Sequence, residues 1–382
     1  MSSSLDVIIT SGNLAYFRNQ LMQPPTALSP FFAVQPNAIS NQRPSPELIM
    51  PDGKLRAAFI PVVHTLAKVQ SRGYLSYVGD RVTFETSVFY PSAANSPPVA
   101  LMQSQTGYRM QSPPEIAQWL TTIGQLMGES IIKDIEFEID LTLHEAWVFF
   151  SVIDCVRRQM MKNLSENINA ESYVIALEDL SANTTQDSSQ WLGAFFAKAE
   201  ELPSLGENEI LASVKTLTHK RLINYHDNSI LPGVESLELA AALLTLEASV
   251  QLQAATLNNQ FGTVGITLTA VKGRGNTCLS WSGGDGSVSI SSLSAAQLMI
   301  IIGSFLEAPS AQFTDSPFPK AGQRTAAPNI RQQDQRAYIP QTGRPVKKKK
   351  KTLIYILIGL GLLFIFACLV ILGGYIFWEY LL

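Results

Sequence analysis

Between Leu353 and Trp378 the chain reads LIYILIGLGLLFIFACLVILGGYIFW, without one charged residue. A helix rising about 1.5 Å per residue covers roughly 38 Å over this length, against the roughly 30 Å of a hydrocarbon core. Gly359, Gly361, Gly373 and Gly374 would weaken a soluble helix but are ordinary in membrane ones. Tyr355, Tyr375, Trp378 and Tyr380 fall near the ends, where amphipathic rings favour the headgroup region. The alternative, a buried core helix, is disfavoured by the length of the apolar run. A single transmembrane helix is therefore expected over residues 352–380, with Leu353 and Trp378 marking its ends.

Charge sets its direction. Lys347, Lys348, Lys349, Lys350 and Lys351 immediately precede the span, and Arg344 lies just upstream. Lysine beside a span stays on the cytoplasmic side, so the N-terminal mass is expected in the cytoplasm. The first twenty residues, MSSSLDVIITSGNLAYFRNQ, have neither the basic start nor the apolar run of a secretory signal. Glu379 to Leu382 are all that follow Trp378, so insertion is expected after the chain is released. The lysine run also favours anionic lipid headgroups, by about 1 kcal/mol each near the surface. Three cysteines, Cys155, Cys278 and Cys368, give no disulfide framework, which suits a reducing compartment.

Residues 308–351 read as a disordered tether, rich in Pro, Gln and basic residues and without apolar periodicity. Ten Lys or Arg stand there against Asp315 and Asp334, a balance of +8. The body, residues 1–307, carries 18 basic and 28 acidic residues, a balance of −10. Such a body is a poor polyanion ligand, so no nucleic-acid partner is expected.

Within the body a weak repeat recurs. Val63-His-Thr-Leu66 followed by Arg72-Gly-Tyr-Leu75 parallels Val214-Lys-Thr-Leu217 followed by Arg221-Leu-Ile-Asn224. Ser112 to Gly124 parallels Ser291 to Gly303 through a shared Ser, Ala-Gln and Ile-Gly frame. The first pair is spaced by 151 residues and the second by 179, so the second copy must carry insertions. The expected fold is α+β: two tandem, weakly similar lobes over 1–134 and 135–307, with antiparallel sheets and flanking helices.

Local signals fill in that plan. Leu55 to Gln70 has helical apolar spacing and stops at Ser71-Arg-Gly73. Tyr74 to Tyr90 and Val99 to Met110 are strand-rich. Ser112 with Glu115 predicts a capping box for a helix over Pro113 to Met127. Ile135, Phe137, Ile139 and Leu141 alternate with acids as in a half-buried strand, and Thr142 with Glu145 opens a long helix to about Leu164. Leu237 to Ala255 reads as helix turning to strand. Gly265 to Val271, Thr277 to Trp281 and Ser287 to Ser291 read as a meander with turns at Gly273–Asn276 and Gly283–Gly286, and Ser294 to Leu306 closes it.

Chemistry-bearing patterns are sparse. His64, His144, His219 and His226 are scattered, and His144-Glu145 is not continued into a two-histidine zinc helix. Ser130-Ile-Ile-Lys133 fits a bare Ser-x-x-Lys pattern without its companion motifs. Gly283 to Gly286 lacks the Lys and Ser or Thr of a phosphate loop and reads better as a hairpin turn. Glu136, Glu138 and Asp140 share one strand face, best read as solvated. No residue is assigned to catalysis, a cofactor or a metal.

The arrangement of the halves carries one family resemblance. Each has a helix ending near Arg72-Gly-Tyr-Leu75 or Arg221-Leu-Ile223, then extended segments, then a closing helix; Thr142-Leu-His-Glu-Ala-Trp147 opens the second half after an alternating strand. Over roughly residues 50–307 this resembles the EspG family of type VII secretion chaperones. The resemblance implies a pseudo-twofold α+β body that binds secreted helical proteins. It rests on pattern and carries over no binding residue. The tether and anchor depart from that family and argue against a free cytosolic chaperone.

The favoured reading is a membrane-tethered adaptor that presents an acidic two-lobed body to a protein partner, with the lipid bilayer as its second partner. A membrane-anchored enzyme and a membrane-bound transcription regulator built on winged helices stand as alternatives. The paired glycines of the span leave a homo-oligomer open as well, although no Gly-x-x-x-Gly frame occurs there.

Overall fold

Strand β1 (Leu5–Ile9) runs directly into helix α1 (Ser11–Asn19), because Thr10 and Asn13 cap its start. Asn13 N donates to Thr10 Oγ1 at 3.3 Å and Thr10 N donates to Asn13 Oδ1 at 2.8 Å, which satisfies two of the otherwise unpaired first-turn donors. The computed structural model describes residues 4–313, except 22, 33–46, 81, 93–95, 106, 129, 170–171, 185–190, 259–261 and 285. All described residues lie in one compact unit, residues 1–328. The expected tether beyond residue 313, the five lysines and the apolar span with Leu353 and Trp378 lie outside the described residues.

After α1 come helix α2 (Ile60–Ala67) and a four-strand meander: β2 (Val69–Gly79), β3 (Thr83–Pro91), β4 (Val99–Ser104) and β5 (Gly107–Ser112). Helix α3 (Ile116–Met127) closes it. The expected Ser112–Glu115 capping box does not form. Glu115 is the N-cap residue without a side-chain bond, and the Ser112 hydroxyl instead donates to Pro98 O at 3.1 Å. The helix expected to reach Gln70 ends at Ala67, and Arg72-Gly73 lies inside β2.

The second half starts as the first does. Strand β6 (Glu138–Thr142) leads into α4 (Leu143–Glu166), where Thr142 and Glu145 make the expected reciprocal pair at 3.1 and 3.2 Å. Strand β7 (Ile175–Ala176) and helices α5 (Leu177–Thr184), α6 (Leu192–Ala199) and α7 (Glu207–His219) follow. A hairpin, β8 (Ile223–His226) and β9 (Ser229–Pro232), completes a small sheet of order β7-β9-β8. Helix α8 (Val234–Ala242) then precedes a second meander of β10 (Leu246–Asn258), β11 (Gly262–Gly273), β12 (Thr277–Gly284) and β13 (Ser287–Ser294). Helix α9 (Ala295–Glu307) is capped by Ser294 and Gln297, and a 3-10 turn (Pro309–Phe313) follows it.

All main-sheet pairings are antiparallel, in the order β1-β5-β4-β3-β2-β10-β11-β12-β13-β6, with helices on both faces. The fold is α+β. On one face, α9 lies over β2 and β10, and the Tyr90 hydroxyl donates to Leu306 O at 2.6 Å. On the other face, two clusters cover the two ends. One joins α1 and α2 to Phe89, Val99, Leu101 and Met110; the other joins α4 and its neighbours to Leu279, Trp281, Val288 and Ile290. Trp281 sits 5.3 Å from Phe150 and 5.9 Å from Phe196, ring contacts worth about 0.5–1.5 kcal/mol each beyond their burial. Among the described residues no helix is long and apolar enough to cross a membrane.

Candidate functional site

Because side chains alternate across a strand, the middle of the sheet has one covered face and one open face. On β2, Ser71, Gly73, Leu75 and Tyr77 are buried toward α9, while Arg72, Tyr74 and Ser76 are half-buried and Val78 is exposed. On β10, Ala248, Val250, Leu252 and Ala254 are buried, and Ser249, Gln251 and Gln253 are half-buried. The principal helical contacts of β2 and β10 come from α9 and the turn after it, both on the covered face.

Register turns these positions into two rows. One runs Ser87, Tyr74, Gln253, Thr267 and the other Glu85, Ser76, Gln251, Thr269. Hydroxyls and amides thus pave a floor between the two apolar clusters. The Tyr74 hydroxyl crosses the rows diagonally and donates to Glu85 Oε1 at 2.9 Å. Burial, helped by that carboxylate, pushes the Tyr74 phenol up to about 12, so it is a hydrogen-bond donor at neutral pH and not a base. Burial also lowers the Arg72 guanidinium from its ordinary value, though not out of its charged range. Arg72 and Glu85 balance, so these two charged side chains leave the floor without net charge.

The residues singled out by sequence are not brought together. His64, His219 and His226 are exposed and His144 is half-buried. His226 Nδ1 lies 3.0 Å from Asp227 on the tip of the β8–β9 hairpin. Among the described residues no three His, Cys, Asp or Glu side chains are grouped to hold a metal ion. The Ser130 hydroxyl donates to Ile132 O at 2.9 Å, whereas Lys133 Nζ donates to Ser292 O at 3.2 Å and pairs with Glu136 at 2.7 Å. Serine and lysine there have separate structural partners. Gly283 to Gly286 lies at the β12–β13 hairpin, with Gly286 at φ +80°. Glu136, Glu138 and Asp140 are exposed. Cys155 and Cys278 are buried, and burial pushes the Cys278 thiol up to about 12.

Sequence reasoning missed Tyr74, Gln251, Gln253 and Glu85 as a set. The available signal was polar residues alternating with apolar ones in two strands, which reads equally as any solvated face until the pairing of β2 with β10 is known.

The β7-β9-β8 sheet beside α4, α5 and α7 has the helix-and-hairpin make-up of the winged-helix alternative. Its α7 begins with Glu207 and Glu209 exposed, an anionic lead that disfavours phosphate backbones.

The chain matches no protein-family model, and no curated protein matches it. Among solved structures it resembles, loosely, a chain in the structure of the Mycobacterium tuberculosis type VII secretion system chaperone EspG5 in complex with the PE25–PPE41 dimer. The TM-score is 0.37 at 8% identity, over 79% of this chain and 95% of that one. A likeness of that size transfers neither residues nor partners.

Proposed function

We propose that this chain is a membrane-tethered cytoplasmic adaptor whose body holds a protein partner on the open middle of its sheet. The observation that carries the reading is the polar floor of Tyr74, Ser76, Gln251 and Gln253, left uncovered by described helices while both flanks of the same face are covered. Preformed hydroxyls and amides on a rigid sheet suit recognition, because little side-chain entropy is lost when a partner orders them. A secretion-related partner is the narrower form of the reading.

The body is read as two related lobes, 1–134 and 135–307, meeting at β2 and β10. Each supplies an edge strand, a capped helix, a four-strand meander and a closing helix. Leu252 follows Leu75 by 177 residues and Gly303 follows Gly124 by 179, a nearly constant interval. The basic tether and the apolar span from Leu353 to Trp378 hold this body at the cytoplasmic surface of a bilayer.

Photo-crosslinking tests the site. A photoreactive residue at Gln251 of the full-length chain in its native membrane is expected to capture one defined protein. Tyr74→Ala is expected to weaken that capture at least tenfold, and the same probe at exposed Asn208 should not give it. Equal labelling from both positions would overturn the assignment.

A further inference from the structure

The two ends of the ten-strand sheet are finished differently. At the β6 end, Lys220 Nζ donates to Asp140 O at 3.0 Å and pairs with Glu145 at 2.9 Å, placing a lysine across the outer backbone. Exposed Glu138 and Asp140 add charge to that edge. Both are devices that keep an edge strand from pairing.

At the β1 end these devices are missing among the described residues. Strand Leu5–Ile9 holds no lysine, proline or bulge, and its backbone has no described partner on the side away from β5. Its one charge is spent within the sheet: Arg109 Nε donates to Asp6 Oδ1 at 2.8 Å, and Arg109 Nη2 and Gln111 Nε2 reach the other oxygen. Apolar side chains flank the edge on both faces. Leu5 and Val7 are the half-buried rim of the N-terminal cluster, and Ile8, on the opposite face, is 60% exposed.

We propose that β1 pairs antiparallel with β1 of a second copy about a twofold axis at Val7, making one continuous sheet across the dimer. The strand is complementary to itself in that register. Val7 meets Val7, Leu5 meets Ile9, and Asp6 meets Ile8, so no like charges stand opposite. Joining extends the apolar row of the N-terminal cluster through Leu5 and Val7 and covers Ile8.

Disulfide trapping in the full chain, held in detergent micelles with Cys368→Ser, tests the register. Val7→Cys is expected to give a disulfide-linked dimer on mild oxidation, since facing residues of an antiparallel pair lie about 4.5–5.5 Å apart at Cα. Ile131→Cys, at a residue that is 80% exposed, should stay monomeric. Ile8→Asp, which sets a second carboxylate opposite Asp6 across the twofold axis, should raise the dimer dissociation constant at least tenfold by sedimentation. A chain that is monomeric at every concentration overturns the proposal. So does a dimer that survives Ile8→Asp without a Val7→Cys crosslink, or a Val7→Cys adduct with a strand of a different protein.

Discussion

Leu75 pairs with Leu252 across the two central strands, and both side chains are fully buried beneath α9. They sit where the first meander meets the second, five strands from either edge. Truncating either to alanine leaves a cavity in a layer held between sheet and helix, costing about 2–5 kcal/mol. Because the two cavities share a wall, the double variant is expected to lose less than the sum, by about 0.5–3 kcal/mol. Denaturant unfolding of the full chain in detergent, followed by tryptophan fluorescence, measures all three losses. Strict additivity with single losses below about 1 kcal/mol would mean that the centre of the sheet is not a packed joint.

At Gly73 that joint leaves no room for a side chain. A Cβ at this position would lie 2.3 Å from Phe305 O and 3.2 Å from the Leu306 Cα, so α9 has to move. At Gly265, on β11, an added Cβ meets only Ala254 O at 3.5 Å, an ordinary contact. Gly73→Ala is therefore expected to destabilise by about 1–3 kcal/mol, the usual cost of overpacking, and Gly265→Ala by under about 0.5 kcal/mol. Thermal unfolding of the two variants side by side separates them. Equal midpoints would refute the packing of α9 against β2.

Much of the chain's order was legible because local chemistry decides it. Thr142 with Glu145 announces α4, and the glycine clusters at 273–276 and 283–286 announce the β11–β12 and β12–β13 turns. Ser112 with Glu115 matched the same capping pattern and failed, since Ser112 ends β5 and its hydroxyl is taken by Pro98 O. The first frame of the repeat went astray for a related reason. Val214–Leu217 lies in α7, which leads into the small sheet, whereas the helix directly before β10 is α8. An amphipathic helix followed by a strand looks alike in both places, and only the pairing of β10 with β2 tells them apart. The open floor was hidden for the same reason: Tyr74 and Gln253 are 179 positions apart, and no local signal links them.

Glu200 gives a pH test. It is the C-cap residue of α6, half-buried against Gly283, and burial pushes its carboxyl up from 4.5 while the Trp281 indole opposes the shift. A carboxyl raised in the folded state binds protons more readily folded than unfolded. Stability therefore falls as pH rises from the unfolded value through the folded one. Glu200→Gln removes that loss, so the variant should be the more stable at pH 7, with the difference fading toward about pH 4. Unfolding midpoints across this range decide it; a variant less stable than the parent at pH 7 would show that the charged carboxylate has a partner that offsets its burial.

The proposed anchor predicts a separation that no property of the body reproduces. On the proposed reading, in which the uncharged run from Leu353 to Trp378 is a helix of about 38 Å, the full chain should stay with membranes through alkaline carbonate washing, as inserted helices do and surface-bound proteins do not. A version ending at Val346 lacks both the lysine run and the span, and with 23 basic against 30 acidic residues, a balance of −7, it has no net attraction to anionic lipid. It should appear entirely in the supernatant. Replacing Lys347 to Lys351 with glutamate keeps the apolar length but removes the charge that fixes direction. That variant is expected to stay in the pellet while losing uniform orientation, read as partial protection of the body from protease added to the cytoplasmic side of sealed vesicles. Release of the unaltered chain by carbonate would overturn the tethered reading and leave the adaptor face to be tested on a peripheral protein.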